Sequence, residues 1–123
     1  MMKLIGLVLA SAVLVACGGG SGNGGGGPTG PTGPTGPAPS TRTVILGASS
    51  FSPASTTLAL NGTVTWTNSS ATEHNVTFAA VAGAPADIGN HTSGSNSRAF
   101  GTAGTFNYQC TIHAGMTGSV AVQ

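Results

Sequence analysis

From Thr41 to Gln123 the apolar residues fall in short alternating runs, and no stretch repeats them at helical spacing. Side chains on a strand point alternately to two faces, so each such run has one face to bury and one to leave in water. Thr43-Val44-Ile45-Leu46 is the first run. Phe51-Ser52-Pro53 follows, then Thr57-Leu58-Ala59-Leu60, Thr63-Val64-Thr65-Trp66-Thr67 and His74-Asn75-Val76-Thr77-Phe78. Arg98-Ala99-Phe100, Thr105-Phe106-Asn107-Tyr108-Gln109-Cys110 and Ser119-Val120-Ala121-Val122 complete the set. Gly, Pro, Asn and Ser separate the runs, as turn residues do in sheet proteins. The pattern predicts one all-β domain, a Greek-key β-sandwich over residues 41–123. Asn61-Gly62 predicts a two-residue hairpin between the runs on either side of it. Residues 79–95 carry no clear pattern and are expected to form a loop with a short strand or a helical turn.

Residues 1–40 cannot contribute to that core. Lys3 precedes an apolar run from Leu4 to Ala16, too short to cross a bilayer comfortably, which reads as a signal peptide over residues 1–16. Its end, Leu14-Val15-Ala16-Cys17, resembles a bacterial lipobox, whose Cys is lipidated after cleavage and becomes the new N-terminus. Cys17 is therefore the expected lipidation site. From Gly18 to Ser40 the chain has no charge and no aromatic residue. Such a segment buries too little apolar area to offset its ordering entropy. The Gly-Pro-x triplets between Gly27 and Ala38 are too few for a collagen helix. Residues 17–40 are expected to be a linker, spanning about 25 Å as a coil and up to about 70 Å as polyproline II. The expected location is the bacterial cell envelope, lipid-anchored to the membrane and facing the periplasm or the cell exterior.

One segment carries chemistry. Tyr108-Gln109-Cys110-Thr111-Ile112-His113-Ala114-Gly115-Met116 places a thiol, an imidazole and a thioether at every third residue. An extended chain would send Cys110 and His113 to opposite faces. The chain must therefore turn after Cys110, and Gly115 and Gly118 are expected to supply the freedom. Soft sulfur ligands with imidazole suit copper, and two His, one Cys and a weak axial Met make an electron-transfer copper centre. His74 is the candidate second imidazole: it begins one strand while Cys110 ends another, so both can lie at the same end of a sandwich. The chain has two Cys. With Cys17 acylated, Cys110 has no disulfide partner outside the cytoplasm, where an odd thiol needs a role. The competing reading is a hairpin whose Cys and Met merely pack.

These motifs resemble those of the cupredoxins, the small type 1 blue copper proteins of the plastocyanin/amicyanin kind, and Phe51-Ser52-Pro53 is similar to a Phe-x-Pro found early in many of them. The resemblance covers residues 41–123. It implies one copper per domain, bound by Nδ1 of His74 and His113, the thiolate of Cys110 and, weakly, Met116. Asn75 resembles the cupredoxin Asn whose backbone N–H reaches the Cys sulfur and whose side chain ties to the residue after Cys, here Thr111. The implied function is electron transfer between redox proteins that dock near His113. A copper carrier, storage or sensing module of the envelope is the alternative, although the chain has only three Met and two of them open it. An enzyme would need an open coordination position or a second metal, and the chain is too short for both. With three Lys and Arg and two Asp and Glu, no nucleic-acid partner is expected, and the domain reads as a monomer. His91 is expected to be solvent-exposed, and Trp66 to lie in the core.

Overall fold

A computed structural model describes residues 36–123. The expected signal peptide, Cys17 and most of the linker lie outside the described residues. Among the described residues every regular element is a strand: β1 (Thr41–Leu46), β2 (Phe51–Ser52), β3 (Ser55–Leu58), β4 (Gly62–Asn68), β5 (His74–Phe78), β6 (Ile88–His91), β7 (Gly94–Phe100), β8 (Gly104–Gln109) and β9 (Thr117–Val122). They form two sheets, one in the order β2-β1-β4-β7 and the other β3-β9-β8-β5-β6. The β1–β4 and β3–β9 pairs are parallel and the remaining pairs antiparallel. The expected Greek-key sandwich is present; of the two alternatives for residues 79–95 the short strand is the one observed, as β6, and β7 begins within the same range at Gly94.

Alternation sets the layers. β4 buries Val64, Trp66 and Asn68 and turns Thr63, Thr65 and Thr67 outward, where Thr65 and Thr67 pair hydroxyls with Ser97 and Ser95 of β7 at 2.8 Å. Trp66 is fully buried and meets Phe78 and Tyr108 edge-on, at centroid distances of 5.6 and 5.4 Å. Such pairs contribute about 0.5–1.5 kcal/mol each beyond their buried area. Tyr108 also meets Phe51 edge-on at 4.8 Å, which ties the short β2 to the core.

The hairpin expected at Asn61-Gly62 does not form. β3 lies beside β9 in one sheet while β4 lies between β1 and β7 in the other, so the turn carries the chain from sheet to sheet. A two-residue hairpin would hold both strands in one sheet. Here β3 ends at Leu58, and the next residues cross the roughly 10 Å between layers. The turn chemistry was legible even so. Asn61 adopts φ 64°, and the Gly62 N–H donates to the Ala59 carbonyl at 2.9 Å. A Cβ on Gly62 would lie 2.7 Å from the Ala59 oxygen and 2.8 Å from that of Ser40.

The parallel register of β1 and β4 defines two poles. Thr41 and Thr63 lie at one and Leu46 and Asn68 at the other. Asn68, the start of β5 and the end of β8 share the second pole. Order begins slightly before the expected boundary: the Pro39 and Ser40 carbonyls accept from Ala59 and Thr63 at the first pole.

Candidate metal centre

The turn from β4 into β5 is built on a buried asparagine. Asn68 Nδ2 donates to the carbonyls of Thr72 and His91, both at 2.8 Å, while its Oδ1 accepts from the amide and hydroxyl of Ser70. Ala71 accommodates the reversal at φ 58°. The chain then enters β5 with His74 completely buried. β8 ends at Gln109, and Cys110 begins a loop closed at its neck, with the Cys110 N–H donating to the Met116 carbonyl at 2.9 Å. Within it the Met116 N–H donates to the His113 carbonyl at 3.2 Å, and Gly115 takes φ 78°.

Gly118 behaves differently from the expectation. Its φ is not in the left-handed region, and it sits within β9 directly across from Tyr108. The phenol ring lies over it so closely that a Cβ there would overlap the ring. Only Gly115 serves the turn.

The loop and β5 bring the donors together. One ligand atom from each of His74, Cys110 and His113 lies within 4.8 Å of the others. Cys110 Sγ is 3.5 Å from His113 Nδ1 and 3.8 Å from His74 Nδ1. A metal at about 2.0 Å from nitrogen and 2.3 Å from sulfur, in a trigonal arrangement, needs N–S separations of about 3.7 Å. Both N–S separations match that requirement. Both rings present the Nδ1 that the resemblance implied. Met116 is buried at the end of the same loop.

Electrostatics favour a ligating imidazole. Burial holds the His74 pKa below its usual value, the neighbouring His113 and His91 push it the same way, and a backbone group of Gly47 partly opposes them. The ring is therefore kept neutral, as a metal ligand must be. Next to it in β5, the Asn75 side chain ties the neighbouring segments together by hydrogen bonds. Asn75 Oδ1 accepts from the Thr111 N–H at 2.8 Å, and Asn75 Nδ2 donates to Thr111 Oγ1 at 2.7 Å and to Asn90 Oδ1 at 3.0 Å. The expected side-chain tie between Asn75 and Thr111 is present.

One further expectation is corrected. His91 is half-buried rather than exposed, because β6 pairs it with His74 and its ring Nδ1 lies 2.9 Å from the Gly89 carbonyl. Gly83-Ala84-Pro85 lies away from the metal, because Gly83 packs against Thr102, just beyond the end of β7 at the other pole. The sequence reading also missed Asn68 and Asn90 as framework residues. The Asn-Ser-Ser sequence after an alternating strand is a turn signal that could have found the first; nothing local marks the second.

Residues 42–123 match the model of the copper binding proteins, plastocyanin/azurin family. Plastocyanin of Scenedesmus fuscus is 40% identical over 96 residues, which cover 66% of this chain and 98% of that protein. Among solved structures, an amicyanin variant in its reduced Cu(I) form at pH 4 has a TM-score of 0.61 at 32% identity, covering 68% of this chain and 82% of that one. A purple cupredoxin from Nitrosopumilus maritimus has a TM-score of 0.57 at 26% identity, covering 67% and 99%. The described residues are thus matched nearly end to end, and their donor set is that of a type 1 copper centre. The chain belongs to the plastocyanin/azurin family of copper-binding proteins.

Proposed function

We propose that this protein is a one-electron carrier of the bacterial cell envelope, monomeric and without catalytic activity of its own. The observation that carries the reading is the preformed site. His74, Cys110 and His113 already stand at ligand spacing, on a strand and a hydrogen-bonded loop. Bound copper supplies the one-electron couple. The chain's contribution is to hold one donor geometry for both oxidation states, so that little reorganises when the electron moves. His74, Cys110, His113 and Met116 would hold the copper, with His74, Cys110 and Met116 sealed from solvent and half-buried His113 the edge that would face a redox partner. Delivery or storage would favour exposed, exchange-ready sulfur, and both Cys110 and Met116 are buried. The reading includes a signal peptide over residues 1–16, a lipid on Cys17, a linker over 17–40 and redox partners that dock near His113. Pro39 and Ser40 enter the domain at the pole away from the metal, which is where a tether would leave the docking edge free.

Titrating Cu(II) into the full-length protein tests this. The expected result is an intense blue colour that saturates at one equivalent and bleaches reversibly on reduction. Cys110→Ser should be colourless, because the thiolate supplies the charge-transfer band. Met116→Gln should stay coloured at a shifted potential, because the axial bond is long and weak. Colourless, loose binding would favour a carrier instead. Fatty-acid labelling that is lost in Cys17→Ala would support the anchor, and persistent labelling would remove it.

A further inference from the structure

We propose that Asn90, in the edge strand β6, is a positioning residue for the metal centre, acting on the Cys110–Thr111 peptide through the Asn75 carboxamide. The β5–β6 ladder pairs His74 with His91 and Val76 with Ile88, but its register shifts between these two points. Asn75 sits on that irregularity. Its side chain makes the connections there: one Nδ2 hydrogen goes to Thr111 Oγ1, the other to Asn90 Oδ1, and Oδ1 takes the Thr111 N–H. Asn75 is only 8% exposed, so an Nδ2 hydrogen left without an acceptor would be a buried unsatisfied donor.

Asn90 is itself held. The carbonyl of its neighbour His91 accepts from Asn68 Nδ2 at 2.8 Å, and Asn68 makes three further side-chain hydrogen bonds within the turn before His74. A continuous chain of contacts thus runs from the turn before His74, through β6 and Asn75, to the residue after Cys110. The Cys110 N–H is pinned on its other side by the Met116 carbonyl. With both flanking peptides fixed, the Cα–Cβ direction of Cys110 is fixed, and with it the positions Sγ can take. Asn90 supplies the acceptor that keeps the Asn75 amide in the orientation Thr111 requires.

The test uses the full-length protein with Asn90→Ala and with Asn90→Asp, which retains an acceptor oxygen. The first readout is amide hydrogen exchange in copper-free protein, so it stands apart from the copper reading. The second is the rate of copper loss from the loaded protein to a chelator. In Asn90→Ala, loss of the acceptor that the exposed Asn90 offers to buried Asn75 should speed Thr111 exchange by about tenfold, with β1 and β4 amides unchanged, and copper should leave several-fold faster. Asn90→Asp should stay within about twofold of the parent on both. Unchanged Thr111 exchange in Asn90→Ala would overturn the proposal. So would uniform acceleration across all strands, unchanged copper loss, or an Asn90→Asp protein that behaves like Asn90→Ala.

Discussion

His74 shows how a single residue joins metal binding to stability. It is fully buried, and its pKa is held below the usual 6.5 by burial first and by His113 and His91 after that. In the unfolded chain the ring titrates near 6.5. Between that value and the lowered folded one, the unfolded state binds more protons, so stability rises with pH there. The contribution is fully present above 6.5. It is lost as pH falls through the window and stops changing once both states are protonated. The copper-free protein should therefore melt at a steady temperature above this range and at progressively lower temperatures below it, and His74→Gln should flatten the slope. A melting profile with the same slope in both proteins would show that another group carries the dependence. His74, Cys110, His113 and Met116 were legible in the sequence because metal ligation restricts residue type and spacing together. Asn90 and His91 were not, because a residue on an irregular edge strand acquires its role only when a distant strand pairs with it.

Two glycines at the level of the strand and the loop do different work. Gly115 has φ 78° and open space where a Cβ would go, so a side chain there meets backbone strain and no collision. Gly118 lies in β9 opposite Tyr108, and its missing Cβ makes room for a core ring that Phe51, Trp66 and Phe78 hold from other sides. The ring has nowhere to retreat. Gly118→Ala should thus behave as overpacking and cost about 1–3 kcal/mol, whereas Gly115→Ala should cost about 1 kcal/mol and confine its effect to the loop. Thermal unfolding of the copper-free proteins checks this: Gly118→Ala should melt clearly below Gly115→Ala, and the reverse order would disprove the assignment. Sequence alternation located the strands well, since one face of each is buried. It could not say which sheet β3 joins, because Asn61-Gly62 specifies a tight turn and leaves undetermined whether the chain stays within a layer or crosses to the other.

Seen whole, the domain carries little charge and keeps most of it away from the metal. Arg98 donates to the carbonyls of Ala86, Ser97 and Asp87, and Asp87 accepts from the Phe78 N–H. Arg42 donates to the Thr57 carbonyl from β1, near the opposite pole. Of the domain's charged side chains, only Glu73 adjoins the site. The surface beside His113 is instead Ile112, exposed to 40%, with Ala114 and Gly115 also exposed. Long-range steering needs a charged field and weakens as salt screens it. On the proposed function, a surface of this kind would offer a redox partner a small apolar contact, as transient redox encounters use. Rates of electron transfer to a membrane-derived partner, followed by stopped flow, should change little between low and high ionic strength. Ile112→Ala should slow the reaction by weakening that contact, and Ile112→Lys should make the rate salt-dependent by creating a field where none existed. If the unaltered protein already loses rate steeply with added salt, charge governs the encounter and the partner docks somewhere other than the His113 edge.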